Sequence, residues 1–469
     1  MGSQGLDLWP RTTRLLPWSI ALFLVMLFLV PFDAVTITAA KPDRPLVVLI
    51  LGIWLISLAV LRGETRPRLS GTVLHAAILL FVITAVVSLL LNAGTLEING
   101  ELGLGLKKLV LLLSFVAVFI VTASALRPGE ARAFVPLVVG LGCIAALGTI
   151  WEYRMGYNPF YELGGKIFPG GFSLPAIAHE KDSTGRIPIL GPTIHPLATT
   201  QLLAMAVPFA ISGGLYTSTK ARRVLYLVAT AVLLAGVFAT QRKTGPMILG
   251  AGLLTFVVYR PRRMLRLAPV GVGLLLVMPI IAPSAVGSLR DQLNPSTATG
   301  TLSSRDRLSD YEAIGPDILN HPALGRGWQT YDPERYRVLD NEYLSILIGN
   351  GWLGVGAYAL LLIAALAICT RAIRTHDPAR APPALAVASV TMMMVVGSAT
   401  FDTIAFPVVP YTFLLFLGLA VACLPERKSV LAREPAPKPT PARAPLALEP
   451  PPGPGDFAFP RWVPDTGGR

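Results

Sequence analysis

Residues 72–91, TVLHAAILLFVITAVVSLLL, form a run of twenty residues without a charged side chain. A helix needs about 20 consecutive apolar residues to cross the hydrocarbon core of a bilayer. The chain has 469 residues, of which 53% are hydrophobic and 14% are charged, and its mean hydropathy is +0.60. This composition excludes a series of ordinary soluble domains. It predicts an all-α polytopic membrane protein.

Applied along the whole chain, the same length criterion predicts about 12 transmembrane helices. The segments 133–151 and 245–259 fit the criterion least well, because they are short or interrupted by glycine. The predicted spans are 15–32, 45–61, 72–91, 106–126, 133–151, 193–215, 224–240, 245–259, 267–289, 343–370, 383–400 and 405–424.

Positive charge is concentrated in every second loop between the predicted spans. Lys and Arg total 40 against 27 Asp and Glu, which gives a formal net charge of +13. Because short cytoplasmic loops of membrane proteins collect Lys and Arg, the pattern places both termini in the cytoplasm. It also accounts for the positive charge without nucleic acid. The basic loops contain Arg62, Arg66 and Arg68; Arg127 and Arg132; Lys220, Arg222 and Arg223; Arg260, Arg262, Arg263 and Arg266; and Arg371, Arg374 and Arg380.

The C-terminal segment 425–469 differs in composition from the rest of the chain. It is rich in proline, with Ala, Gly and charged residues between the prolines. Such a segment favours extended polyproline conformations and has too little apolar surface to offset the entropy of ordering. The sequence therefore predicts a transmembrane domain over 1–424 and a disordered, proline-rich cytoplasmic tail over 425–469.

Two long segments, about 152–192 and 290–342, lie on the predicted outside, where loops on a rigid scaffold commonly carry functional residues. Capping-box spacing from Ser303 to Asp306 and the apolar period that follows predict a short helix over about 304–319. A cation such as Arg307 in its first turn favours an anion nearby, either a phosphate or a neighbouring carboxylate. Asp340 is a candidate cap for a helix that continues through Asn341 and Glu342.

Several motifs between residues 191 and 354 are informative as a set. They are GPTIHP at 191–196, TQRKTG at 240–245, Arg307-x-x-x-Tyr311, HPALGRG at 321–327, DNEYL at 340–344 and NGWLG at 350–354, where Asn350-Gly351 predicts a break. In this order, with the longest loop outside, they resemble the signature region of the bacterial O-antigen ligase and O-antigen polymerase family. The similarity spans about residues 185–370.

The resemblance implies a GT-C-like fold and a glycosyltransferase that assembles cell-surface polysaccharide. It implies transfer of a glycan from an undecaprenyl-pyrophosphate donor to an acceptor hydroxyl on the outer face of the bacterial cytoplasmic membrane, without a cofactor or a metal. The expected partners are that donor, a glycan, glycolipid or protein acceptor, and the lipid bilayer. Ligase and polymerase share these motifs, so both activities remain open.

Four cations are candidates for binding the donor phosphates, because a guanidinium group matches phosphate oxygens and stabilises the charge of a leaving pyrophosphate. Arg242 and Lys243 lie in a very short loop between long apolar segments, where a charge is costly without a partner. The third candidate is Arg307 and the fourth is Arg326. No metal site is expected, because Cys143, Cys369 and Cys423 lie in apolar runs and the outside loops lack a ligand cluster.

The acceptor hydroxyl must lose a proton, which is a task for a carboxylate or an imidazole. Asp340 occupies the position where ligases of the family usually have histidine, and it is a candidate base, a residue that orients the acceptor, or a helix cap. Glu342 is the second catalytic candidate, although acids are favoured in a first helical turn in any case. Asn341 and Tyr343 belong to the same motif. His321 and His195 precede proline at loop boundaries, where a structural role is the more common one.

Two other classes of function fit the predicted topology. A secondary transporter often has about twelve spans with both ends inside, but the spans here are nearly free of internal acids. A non-catalytic scaffold would act through the proline-rich tail. Deletion of residues 430–469 distinguishes these readings, because a scaffold would lose function and a glycosyltransferase would largely keep it.

Overall fold

The computed structural model describes residues 14–32, 41–69, 71–167, 180–181, 187–265, 273 and 312–425. Regular structure in this part of the chain is helical, as the sequence predicts. Residues 312–320 form one short helix. Further α-helices are α1 (Leu15–Leu29), α2 (Asp43–Val60), α3 (Val73–Leu91), α4 (Ala93–Ile98), α5 (Leu102–Ala125), α6 (Pro128–Met155), α7 (Pro159–Ile167), α8 (Pro196–Tyr216), α9 (Lys220–Ala239), α10 (Thr244–Tyr259), α11 (Glu342–Arg374), α12 (Ala381–Ser398) and α13 (Val408–Ala422).

Eleven of the predicted spans correspond to helices near the predicted positions. Eight of these helices are long and apolar enough to cross a membrane, and α1, α10 and α13 are shorter apolar helices. The chain is therefore a multi-pass membrane protein. The predicted span 267–289 and most of the predicted tail lie outside the described residues, as does the first half of the helix predicted over 304–319.

The largest difference in length concerns α6, for which the sequence predicts a short span over 133–151. The helix has 28 residues because hydrogen bonds satisfy its polar ends. The backbone N–H of Arg127 donates to the Glu130 carboxylate at 3.0 Å at the start, and Gly156 ends the helix with a φ of 77°. The predicted span was too short because it was defined by apolar residues, and the ends of α6 contain polar ones.

The helices α8, α12 and α13 form the centre of the bundle. All residues of α13 are buried, as are most of those in α8 and α12. Helices that are apolar on every side belong in such an interior. Polar residues of α8 such as Thr200 find partners there, since the Thr200 hydroxyl lies 2.7 Å from that of Thr240. This contact ties the start of α8 to the turn that follows α9.

The two ends of the bundle differ in charge. The end that carries the predicted basic loops, here called the basic end, includes Arg260, which donates to the Tyr216 hydroxyl at 2.6 Å. The opposite end, here called the acidic end, includes the buried residues Glu101, Glu152 and Glu342. The positive-inside pattern predicts that the acidic end faces outward.

The break predicted at Asn350-Gly351 is confirmed inside α11. Gly351 has a φ of 64° and a ψ of −167°, a conformation that is essentially restricted to glycine. The turn at 321–328 packs into this break, so that backbone groups freed by the kink pair with the turn. The hydrogen bonds run from Trp352 N to Pro322 O (2.9 Å), Leu353 N to Ala323 O (3.1 Å), Arg326 N to Ile348 O (2.8 Å) and Gly327 N to Gly349 O (3.1 Å).

We expect Gly351→Ala to destabilise the protein by at least about 2 kcal/mol, because the new Cβ collides with the Ala323 backbone in a conformation that alanine disfavours. Thermal unfolding of the purified protein in detergent measures the effect. Gly356→Ala in the same helix is the control, since a Cβ there meets open space. Equal unfolding temperatures for the two variants would contradict this account of the kink.

A second prediction concerns orientation. Cysteines placed at residues 165 and 334, near the acidic end, should react with a membrane-impermeant maleimide added to intact cells. Cysteines at residues 220 and 262, at the basic end, should react only after permeabilisation, because the basic loops are expected in the cytoplasm. The unsubstituted chain, whose three cysteines are at least partly buried, gives the background. The reverse labelling pattern would place the acidic end in the cytoplasm.

Candidate active site

The loop between α12 and α13, residues 399–407, contacts the residue before α8 and the first turn of α11 at the acidic end. Its Phe406 ring stacks on His195 before α8, with ring centroids 4.7 Å apart. Its Ile404 backbone N–H donates to the Glu342 carboxyl at 2.7 Å. Its Asp402 carboxyl accepts a hydrogen bond from the Ser345 hydroxyl at 3.3 Å. His195 and Glu342 were candidate site residues from the sequence, whereas Asp402 and Phe406 were not.

The start of α11 differs from the sequence-based interpretation by one residue. Asn341 is the N-cap, and its side-chain oxygen accepts from the backbone N–H groups of Tyr343 at 2.9 Å and Leu344 at 3.4 Å. The prediction that Asp340 caps this helix is therefore wrong. Asparagine and aspartate cap about equally well, so the sequence alone did not choose between these neighbours. Asp340 is exposed and precedes the cap.

Glu342 is the first residue of α11 and points into the bundle, where its side chain is 0% exposed. Its Oε2 accepts from Ile404 N and from the Thr403 hydroxyl at 3.4 Å, and its carboxyl contacts that of Asp402. The expected placement of an acid in the first turn is confirmed. Its burial shows that it is more than a solvated partner of the helix dipole.

His195 is the N-cap of α8, and its Nδ1 accepts from the backbone N–H of Leu197 at 3.3 Å. The ring proton of the neutral imidazole is therefore on Nε2. Burial, together with the nearby positive charge of Arg242, lowers the pKa of His195 to about 4. The structure thus gives His195 the expected structural role and also brings it close to a candidate phosphate-binding cation.

Arg242 and Lys243 lie in the short turn between α9 and α10. The turn is tight because Gln241 adopts a left-handed conformation with a φ of 56°, and Gly245 N donates to Arg242 O at 3.1 Å. Both cations are partly buried. The contact between Thr200 and Thr240 holds this turn against α8, so that Arg242 lies beside His195.

Three further candidates from the sequence are Arg326, His321 and Arg307, and none of them is placed beside His195 by the described contacts. Arg326 forms a salt bridge with Glu101 at 2.8 Å, donates to the Tyr336 hydroxyl at 2.8 Å and lies 3.6 Å from Asp317. These contacts commit its guanidinium to fastening the 321–339 segment onto the start of α5. His321 is exposed in the turn. Arg307 lies outside the described residues.

Tyr343 completes the group of motif residues on the inner side of α11. Its hydroxyl donates to the Val395 backbone oxygen at 2.9 Å, and its ring lies 5.9 Å from that of Tyr358. These contacts fasten the first turn of α11 to α12. Tyr343 is therefore placed as a packing residue beside Glu342.

Glu152, a buried acid that was not among the candidates from the sequence, holds the segment that contains His195 in place. Glu152, near the end of α6, accepts from Leu190 N at 3.0 Å, Gly191 N at 2.7 Å and the Asn158 amide at 2.9 Å. Together these bonds hold the segment that leads into α8. The only sequence signal was an isolated acid at the end of an apolar span.

No group of three or more His, Cys, Asp or Glu side chains suited to a metal occurs among the described residues. Glu342 and Asp402 form a pair of neighbouring carboxyl groups. Arg242 and Lys243 supply positive charge at the same end of the bundle. The arrangement therefore combines partly buried cations with a pair of carboxyl groups.

A family model described as O-antigen ligase matches residues 228–359. The matched segment is similar to that family. It contains Arg242, Lys243 and Glu342, and it confirms the resemblance recognised from the sequence motifs. The O-antigen ligase match excludes His195 and Asp402, which the fold nevertheless brings to the same end of the bundle. A search of curated proteins finds no match.

The low pKa of His195 predicts a pH dependence of stability. An unfolded histidine titrates near 6.5, whereas folded His195 titrates near 4. The unfolded chain therefore binds the proton first, and the folded state loses roughly 1.4 kcal/mol per pH unit as the pH falls from 6.5 to 4, up to about 3 kcal/mol. His195→Asn, which keeps a capping side chain, should remove this part of the loss.

Thermal unfolding at pH 7.5, 6 and 5 measures the effect. His376→Asn is the matched control, because His376 is exposed at the basic end in a left-handed conformation that asparagine also adopts. We expect this control to keep the wild-type pH dependence. An unchanged pH dependence in His195→Asn would contradict the assignment to His195.

Proposed function

We propose that this protein transfers a glycan from undecaprenyl pyrophosphate to an acceptor hydroxyl on the outer face of the bacterial cytoplasmic membrane. The O-antigen ligase family match and the multi-pass fold support membrane glycan transfer in cell-surface polysaccharide assembly. The observation that carries the finer proposal is the position of Arg242 near His195, whose Nδ1 accepts from Leu197 N at the acidic end.

The donor side of this site comprises Arg242, Lys243 and His195. Pyrophosphate leaves with negative charge, which a guanidinium stabilises through two parallel hydrogen bonds. A neutral imidazole with its proton on Nε2 adds a donor without repelling the neighbouring Arg242. We propose that these side chains bind the phosphates in place of a metal ion, so that chelators leave the activity unchanged.

The acceptor side lies at the start of α11 and in the 399–407 loop. Carboxyl groups are suited to remove the proton from an attacking hydroxyl, and the described part of this end supplies Glu342, Asp402 and the exposed Asp340. Asn341 and Tyr343 hold the first turn of α11 in place. Ligase and polymerase differ in the acceptor, so the two activities are distinguished by which acceptor is consumed.

The test uses purified full-length protein with undecaprenyl-pyrophosphate-linked glycan and two acceptors, a lipid-linked core glycan and a second copy of the donor glycan. Mass spectrometry of the products identifies the bond that forms. We expect transfer to one acceptor with release of undecaprenyl pyrophosphate, in the presence or absence of a chelator. Absence of transfer to both acceptors would contradict the proposed function.

Arg242→Lys tests the donor side. We expect kcat/KM to fall roughly 10- to 100-fold, because an ammonium group keeps the charge but cannot reproduce the planar pair of donors. Arg262→Lys, an exposed position at the basic end, is the matched control and should be nearly silent. Full activity in Arg242→Lys would remove Arg242 from the phosphate site.

A further inference from the structure

The contact between Glu342 and Asp402 brings together two acids from distant parts of the chain. Glu342 Oε1 and Asp402 Oδ1 are both buried and have no donor among the surrounding groups. The other two oxygens are satisfied, since Glu342 Oε2 accepts from Ile404 N and Thr403, and Asp402 Oδ2 accepts from Ser345. The unsatisfied oxygens are therefore one from each carboxyl of a contacting pair.

A proton shared between the two carboxyl groups relieves this lack of donors. Two carboxyl groups in contact cannot both carry a negative charge at low cost, so such pairs hold a proton between them. With that proton, one carboxyl donates to the other and the contact becomes a hydrogen bond. Neither Glu342 nor Asp402 forms an ion pair with Lys or Arg in the described part of the chain, so no cation replaces the proton.

Burial decides which residue holds the proton. Glu342 is 0% exposed, whereas Asp402 is only partly buried, and a negative charge costs less where water reaches it. The groups around Glu342 are neutral hydroxyls: Tyr358 lies 2.9 Å from Ser398, which lies 3.3 Å from Thr403. Of the two residues, Glu342 is therefore the better site for the proton and Asp402 the better site for the negative charge.

We propose that Asp402 is the catalytic base of the transfer reaction and that Glu342 is the positioning residue that orients it. This inference rests on the proposed function. The acceptor oxygen forms a bond to the anomeric carbon, and the bond from that carbon to the pyrophosphate oxygen breaks with its electron pair leaving on the pyrophosphate. The acceptor proton moves to Asp402, which releases it to water after the product departs.

The location of Asp402 favours it over Asp340 for this role. Asp340 is exposed and lies before the cap of α11, whereas Asp402 lies in the loop whose Phe406 stacks on His195. The base and the proposed phosphate-binding group are therefore held by the same nine-residue loop. A glycosyl transfer needs both groups on the same substrate complex, with the base beside the attacking oxygen.

Substitutions at the two positions separate the roles of the pair. We expect Asp402→Asn to lower kcat by about 10²- to 10⁴-fold with little change in the donor KM, because it removes the proton acceptor. We expect Glu342→Ala to lower kcat at least tenfold, because it removes the group that orients the base, and Glu342→Gln to restore most of that loss. The glutamine amide imitates the neutral acid, since its NH₂ donates to Asp402 and its oxygen accepts from Ile404 N.

The experiment uses the full-length protein and the donor and acceptor of the transfer assay. Asp377→Asn is the matched control, because Asp377 is a partly exposed acid at the basic end, paired with Arg380 at 3.0 Å. Formate added to Asp402→Gly supplies a carboxylate in the vacated space, and we expect it to restore kcat at least tenfold over the same variant without formate. A loss of activity caused by misfolding would not respond to formate. The formate measurement therefore tests the catalytic role of Asp402 even if Asp402→Asn folds poorly.

The outcomes separate the two proposals. An inactive wild-type protein overturns the proposed function and this inference with it. If the wild type is active, three results would each contradict the inference but not the proposed function. They are a normal kcat in Asp402→Asn, failure of formate to rescue Asp402→Gly, and a loss of activity in Glu342→Gln as large as that in Asp402→Asn. If Asp340→Asn loses activity and Asp402→Asn does not, Asp340 is the base.

Discussion

A carboxyl group buried among apolar helices is stable only where neighbouring groups satisfy its oxygens, and this requirement organises one end of the bundle. Each buried glutamate at the acidic end holds a different segment. Glu101 holds the 321–339 segment through Arg326 and Tyr336, and Glu152 holds the segment before α8 through backbone N–H groups. Glu342 holds the 399–407 loop through Ile404 N. The loops at this end therefore owe their positions to acids that belong to helices.

The three acids differ in how their charge is balanced. Glu101 has the cation Arg326 beside it, and Glu152 receives three N–H donors. In both, hydrogen-bond donors surround the carboxyl oxygens, which is the ordinary arrangement for a buried acid with a structural role. Glu342 has a second acid, Asp402, as its neighbour. A pair of acids is a costly way to fix a loop, which is why we assign this pair to chemistry and the other two glutamates to structure.

The sequence predicted most of the membrane-spanning helices because a long apolar segment in a bilayer satisfies its own backbone hydrogen bonds by forming a helix. It also predicted the kink at Gly351, since an Asn-Gly pair interrupts an otherwise apolar helix. It misplaced the cap by one residue, because Asp340 and Asn341 have the same capping ability. It did not identify Asp402, which lies 60 residues from Glu342 and looks like an ordinary acid in a short loop. Only the packing of α11 against α12 and α13 makes the two acids neighbours.

The segment that matches the O-antigen ligase family contains only part of the proposed site. Residues 228–359 contain Arg242 and Glu342, whereas their partners His195 and Asp402 lie on either side of that segment. Each half of the site therefore combines one residue inside the matched segment with one outside it. This division bears on the departure at Asp340, where ligases of the family usually have histidine. Position 340 is exposed here, and the deeper pair supplies a carboxylate that is already oriented by its neighbour. A change of residue at position 340 therefore leaves the proton acceptor that we propose in place, because that acceptor is built from the first turn of α11 and the 399–407 loop.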